Sequence, residues 1–219
     1  MVTGIPEYIC EMKDNSIWEV RKERQDFIYS KLMCWVAVDR GIRIAAKRKT
    51  GESPESWHQT GTLIRNAILE RGFNRKLNSF VTRFDSDDLD ATLLLIPLRG
   101  FLPAEDDRVQ GTINAVMKYL MCGNGLVLRY KMEDGLPGRE GAFGICSFWL
   151  VIALAISGRI PEAEELFQKI LNYLGPLGLI SEEIDPDSGK LLGNMPQAFS
   201  HIGLINAAIQ IGTAKALKG

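Results

Sequence analysis

The sequence predicts an all-α protein of roughly seven helices, and three observations carry that prediction. Apolar residues recur at steps of three and four in most segments, enclosed helices alternate with amphipathic ones, and few segments alternate with the period of two that marks a strand. Such alternation fits an inner ring of helices inside an outer ring, or a stacked helical solenoid. No residue set recurs at a fixed spacing of about 30 to 45 positions, which lowers the solenoid.

The elements follow in chain order. Ile28, Leu32, Trp35, Asp39, Ile42 and Ala46 form one face of a helix reaching about Arg48, and the acid on that face requires a partner. Thr50 to Pro54 break the pattern, and Trp57, Gly61, Ile64 and Ile68 define a second helix ending at Gly72. Phe80, Thr82 and Phe84 alternate with Val81 and Arg83 in an extended connector. The acidic cluster that follows places Asp87 or Asp88 to cap a helix over 89–96, which Pro97 stops. A helix over 105–121 carries Val109, Ile113, Val116 and Leu120 in phase. Gly123 and Gly125 flank a turn before an extended piece over 126–130, and 133–141 is a loop by composition. The segment 143–157 is apolar on every side, whereas 161–174 sets Leu166, Phe167 and Ile170 against Glu162, Glu165 and Lys169. A last helix, about 197–217, is again apolar over much of its circumference.

Composition excludes several functions. The 219 residues are 46% hydrophobic and 24% charged, the make-up of a water-soluble globular protein. Lys plus Arg (26) nearly cancels Asp plus Glu (27), so no positive field draws in nucleic acid or an acidic membrane. Cys10, Cys34, Cys122 and Cys146 stand far apart with no CxxC pair and read as buried thiols. The longest uncharged run, 141–158, is shorter than the roughly 20 apolar residues of a membrane helix. No basic start precedes an apolar stretch at the N-terminus, which points to the cytoplasm.

In a ring of helical hairpins the loops at one end converge, so their polar residues carry the most functional weight. Four loops stand out: NSIWEVR with Trp18, Glu19 and Arg21; FDSDDLD with Asp85, Asp87, Asp88 and Asp90; LPGREGAF with Arg139, Glu140 and Phe143; and GLISEEIDPDSGKLLGNMPQAFSH with Glu182, Glu183, Asp185, Gln197 and His201. A carboxyl desolvated by an indole stays protonated and serves as a general acid, which is one reading of Glu19. The other is an exposed acid paired with Arg21. Glu182 or Glu183 reads as a base facing a site or as part of a solvated acidic loop. The aspartate cluster lacks the glycine and distant glutamate of a calcium loop, and helix capping explains most of it. His201 reads as a structural histidine and His58 as surface; the tryptophans read as core or as faces for sugar rings.

The strings SIWEVR, YSKLMCWVAVDRGIRIA, DSDDLDATLLLIPLRGFLP, GLPGREGAFGICSFWLVIALAISGR and GLISEEIDPDSGKLLGNMPQAFSHIGLINAA closely resemble, in order, the catalytic domain of glycoside hydrolase family 15, the glucoamylases, glucodextranases and trehalases. The resemblance implies an (α/α)6 barrel that hydrolyses α-glucosidic bonds with inversion. It implies Glu19 as general acid, from the IWE motif, and Glu182 as general base, with Glu183 where the family has glutamine. Trp18, Arg21, Glu140 and Phe143 become candidates for the sugar-binding wall. The chemistry implies no metal and no organic cofactor, and the implied partner is an α-glucoside, trehalose or an α-glucan. Two departures are visible: Tyr29 stands where many members have histidine, and the link MKDNS before IWE is short. The family's N-terminal β-sandwich and first barrel hairpins have no counterpart, so residues 1–219 are expected to be the C-terminal portion of one catalytic domain. Seven or eight of twelve helices are expected, with exposed inner faces that self-associate. The alternative is a catalytically incomplete unit with a binding or structural role.

Overall fold

The protein is described by a computed structural model over residues 12–48, 54–132 and 140–217. Cys10, Arg139, Thr50 and the first residues of the sequence lie outside the described residues. Seven α-helices are present among them, within the expected range, and none is long and apolar enough to cross a membrane.

Helix α1 (Ile28–Arg48) packs against α2 (Glu55–Arg71) through Ile28, Leu32 and Val38 on one side and Thr60, Ile64 and Ile68 on the other. Asp39 finds its partners within its own helix, pairing with Arg40 and with Arg43 at 3.1 Å. A short antiparallel ladder joins β1 (Phe73–Asn74) to β2 (Ser79–Phe80), where the extended connector was expected.

The segment after the aspartate cluster departs from expectation. A 3-10 helix over Ala91–Leu94 runs into a single turn, α3 (Leu95–Leu98), so Pro97 lies inside the turn that it was expected to stop. The first backbone N–H groups of a helix have no intrahelical acceptor, so an imino nitrogen there loses nothing. The cap is Asp90, whose carboxylate accepts from the Thr92 amide at 3.0 Å. Asp87 and Asp88 are engaged elsewhere, by Asn74 Nδ2 at 2.5 Å and by Arg83 at 2.6 Å.

Helix α4 (Asp107–Tyr119) starts on Asp106, whose carboxylate accepts from the Arg108 amide at 2.9 Å, and is followed by the paired strands β3 (Met121–Cys122) and β4 (Leu126–Val127). Strand β5 (Ala142–Phe143) leads into α5 (Gly144–Ile156), the most enclosed helix, with Phe148, Leu150 and Val151 fully buried. Around it pack α3, α6 (Ile160–Leu171) and α7 (Ala198–Ala216). Helix α6 is amphipathic as read from the sequence, with Ala163, Leu166 and Ile170 inward and Glu165 paired to Lys169 at 2.7 Å outside. Close approach of α7 to α5 depends on Gly203, where a Cβ would stand 3.1 Å from Phe148. The opposite side of α7 is apolar and uncovered: Phe199, Ile202, Ile205 and Ile209 are each more than half exposed.

The three-stranded sheet β5–β6–β7, with β6 at Glu183–Ile184 and β7 at Leu191–Leu192, was not read from the sequence. Its register sets Phe143 opposite Glu183 and Glu183 opposite Leu192. It fastens the loop before α5 to the loop after α6. Of the cysteines expected to be buried, Cys146 is; Cys34 and Cys122 are only partly covered because they lie at the edges of the core.

Candidate active site

The loop ahead of α1 is held by its own polar side chains. Asp14 accepts from the Ser16 amide at 2.6 Å and from the Ser30 hydroxyl at 2.8 Å, while Asn15 Nδ2 donates to the carbonyls of Val20 at 2.7 Å and Lys22 at 3.1 Å. Within this clamp Ser16 and Glu19 adopt left-handed backbone conformations, with φ of 61° and 51°. A non-glycine residue there costs about 1–3 kcal/mol and persists only where its surroundings impose it. Trp18 follows from the same geometry. Its indole packs at 6.1 Å from the Tyr130 ring, 6.3 Å from Phe143 and 6.4 Å from Trp149, and its Nε1–H donates to Asp90 Oδ2 at 3.0 Å.

The desolvated carboxyl beside Trp18 is therefore Asp90 and not Glu19. Asp90 is fully buried, and burial pushes its pKa up to about 6 against the opposing hydrogen bonds from Thr92 and Trp18. Glu19 is exposed at the cleft edge, and no ion pair joins it to Arg21 among the described residues.

Glu182 comes from the other side. Its backbone N–H bonds to the Asn194 carbonyl at 2.9 Å, and its carbonyl accepts from the Gly144 amide at 2.9 Å. Its Oε2 accepts from Asn194 through the backbone amide at 3.1 Å and Nδ2 at 2.9 Å. Gly193, at φ 70°, makes this possible, since a Cβ there would lie 2.8 Å from Oε2. Oε1 accepts no hydrogen bond among the described residues and is free to meet a water.

Glu19 and Glu182 line one cleft of about 530 Å³, whose other walls include Trp18, Arg129, Phe143 and Trp149. That volume suits a small molecule, and the combination of aromatic faces with a few convergent polar groups is the usual make-up of such a site. Phe199 and Ile202 carry the wall onto the uncovered face of α7. A smaller concavity of about 290 Å³ beside Asp87 and Asp88 offers carboxylates already engaged by Asn74 and Arg83.

Arg21 is exposed and lies outside the cleft lining, as does Glu140, which is paired with the cleft-lining Arg129. The Arg129 guanidinium also stands 3.6 Å from Glu183 and 5.7 Å from the Trp18 ring. Burial works against its charge, but the hydrogen bond and charge of Glu140 hold its pKa above the usual value. Glu183 moves upward as well, because burial and the negative charges of Glu140 and Glu182 outweigh Arg129. Sequence reasoning missed Arg129, and it named Asp90 in a candidate loop without setting it apart from Asp85, Asp87 and Asp88. Arg129 lies in an unremarkable extended stretch and Asp90 in a run of four similar acids, so neither residue has a local signal; only the strand pairing brings them in.

Fold and cleft together define a class: part of a ring of helical hairpins whose loops bring Glu19 and Glu182 to one cleft. Among solved structures, a wild-type glycosidase matches with a TM-score of 0.76 at 22% identity, over 90% of this chain and 54% of that one. A bacterial glucoamylase complexed with acarbose matches with a TM-score of 0.76 at 13% identity, over 94% of this chain and 36% of that one. The described helices are thus an incomplete (α/α)6 barrel. The family model for glycosyl hydrolases family 15 matches residues 7–209, and the chain belongs to that family. It is 45% identical over 201 residues to a trehalase of Mycobacterium tuberculosis, covering 90% of this chain and 29% of that protein. A trehalase of Thermoplasma volcanium is 40% identical over 208 residues, covering 95% of this chain and 33% of that protein. The chain spans about a third of the length of these curated relatives.

Proposed function

We propose that the chain carries the acid and base of an inverting hydrolase of α-glucosidic bonds, acting on trehalose or an α-glucan. The observation that supports this most is that Glu19 and Glu182, 163 positions apart in sequence, line the same cleft. An inverting pair holds its carboxyl groups roughly 6.5–9.5 Å apart, leaving room for one water. Glu182 Oε1 takes a proton from that water, and the resulting hydroxyl forms its bond to the anomeric carbon from the face opposite the leaving oxygen. The glycosidic C–O bond breaks as Glu19 gives its proton to the departing oxygen, and proton exchange with solvent resets both groups. A sugar seated on Trp18 and Phe143 covers Glu19 and supplies the desolvation that the loop by itself does not. Glu140 contributes through Arg129, which it keeps charged and in place at the cleft wall. Residues 1–219 read as the part of the family's catalytic domain that bears the acid and base loops, and the trehalase relatives favour trehalose as the first substrate to try.

The test is glucose release by the purified chain from trehalose, maltose and isomaltose. Glu19→Gln and Glu182→Gln are each expected to lower kcat by about 10²- to 10⁴-fold. Full activity in either variant refutes the assignment. Trehalose binding without glucose release from the unsubstituted chain would instead support a binding unit.

A further inference from the structure

Asp90 is a fully buried carboxylate, and no lysine or arginine pairs with it among the described residues. Burying such a group is costly, and its capping duty does not require a charge, because asparagine or serine caps a helix as well. Its Oδ1 serves its own turn, accepting from the Thr92 amide at 3.0 Å and the Thr92 hydroxyl at 2.5 Å. Its Oδ2 reaches across 72 positions of sequence to the indole N–H of Trp18. An amide side chain presents only one oxygen and cannot accept on both sides, so the second carboxylate oxygen is what the site gains from aspartate.

What that oxygen holds matters because of the residue next to Trp18. Glu19 is in a left-handed conformation in a loop with no helix or strand of its own, so its direction depends on how its neighbours are fixed. Trp18 is fixed by three rings at its edges and one polar bond at its nitrogen. We propose that Asp90 is the positioning residue of the acid loop: through the Trp18 indole it sets where Glu19 stands in the cleft.

This inference rests on Glu19 being the acid, and its structural half can be tested apart from catalysis. The titratable and charged groups around Asp90 are few. The Cys146 thiol of α5 is raised by its own burial and by Asp90, Tyr130 meets Asp90 in a backbone bridge, and Arg129 accepts the Ala91 N–H at its carbonyl while its guanidinium stacks on Trp18 and Tyr130. With tryptophans labelled with nitrogen-15 in the full chain, Trp18→Phe identifies the Trp18 indole N–H signal. In the unsubstituted protein that signal should shift with a midpoint near the Asp90 value of about 6. Asp90→Asn and Asp90→Ala should each move the signal and abolish its titration. In glucose release, kcat should fall about 10- to 100-fold and by more than KM rises, since the acid is displaced while Trp18 loses its polar bond and keeps its three ring contacts.

An unmoved Trp18 signal in Asp90→Asn, or an unchanged kcat in an otherwise active protein, overturns the proposal. If the unsubstituted chain releases no glucose, the catalytic reading fails, and the indole titration still decides whether Asp90 holds Trp18. Should Asp90→Ala not fold, the unsubstituted protein and Asp90→Asn carry the test.

Discussion

Replacing Asp90 by asparagine should change how stability depends on pH, and the size of the change can be worked out. The Asp90 pKa is about 6 in the folded protein against an ordinary 3.8, so between those values the folded state keeps a proton that the unfolded state has lost. Stability from this group is fully present below the unfolded value and is lost as pH rises through the folded one. The separation between about 6 and 3.8 corresponds to about 3 kcal/mol, of which about 2 kcal/mol falls between pH 4.5 and pH 8. Asparagine does not titrate, so Asp90→Asn lacks this decline. Its rearranged hydrogen bonds add an offset that is nearly the same at every pH. Urea unfolding of both proteins, followed by far-ultraviolet circular dichroism at half-unit steps of pH, isolates the difference. The variant should gain about 2 kcal/mol relative to the original protein from the acid end of that range to the alkaline end. A difference that stays flat with pH would show that Asp90 is ionised at its ordinary value and that the desolvation argument is wrong.

Three further outcomes are expected. Arg129→Met leaves Glu140 and Glu183 without their shared cation, and should cost about 1.5–3 kcal/mol in urea unfolding at pH 7 and drive the Glu183 pKa higher still; an effect below about 0.5 kcal/mol would remove Arg129 as the organiser of the wall. Gly111→Ala would set a Cβ 2.1 Å from the Asn78 carbonyl oxygen, so the melting temperature should fall by an amount equivalent to about 1–3 kcal/mol, and an unchanged melting temperature would show that α4 can move away from the β1–β2 turn. The uncovered face of α7 should bind an apolar dye and drive association on concentration. Ile205→Ser with Ile209→Ser should weaken both in fluorescence and sedimentation, whereas a monomer that binds no dye before substitution would contradict this reading.

What was legible in the sequence, and what was not, follows the range over which each feature is determined. Helices α1, α2, α5 and α6 announce themselves through contacts three and four residues apart, and their burial follows the same spacing. The ladder that sets Phe143 opposite Glu183 is two residues long, and its strands are 40 positions apart. No local pattern can mark it, because its strength lies in the α5 and α6 packing that brings its ends together. The site divides in the same way. The motifs around Glu19 and Glu182 pointed to two residues that line the cleft, but adjacency could not choose between the two environments open to Glu19, desolvated by Trp18 or exposed beside Arg21. The side chain is exposed, with no Arg21 pair among the described residues. Neighbours in sequence share a peptide bond without sharing surroundings: with Glu19 in a left-handed conformation, the indole turns inward to Asp90 while the glutamate stays in solvent. The buried, proton-retaining carboxylate beside the indole is thus supplied by a residue 71 positions from Glu19. If Glu19 is the acid, as proposed, an exposed side chain in the cleft has its position set by a second carboxylate that is itself buried and absent from the cleft lining.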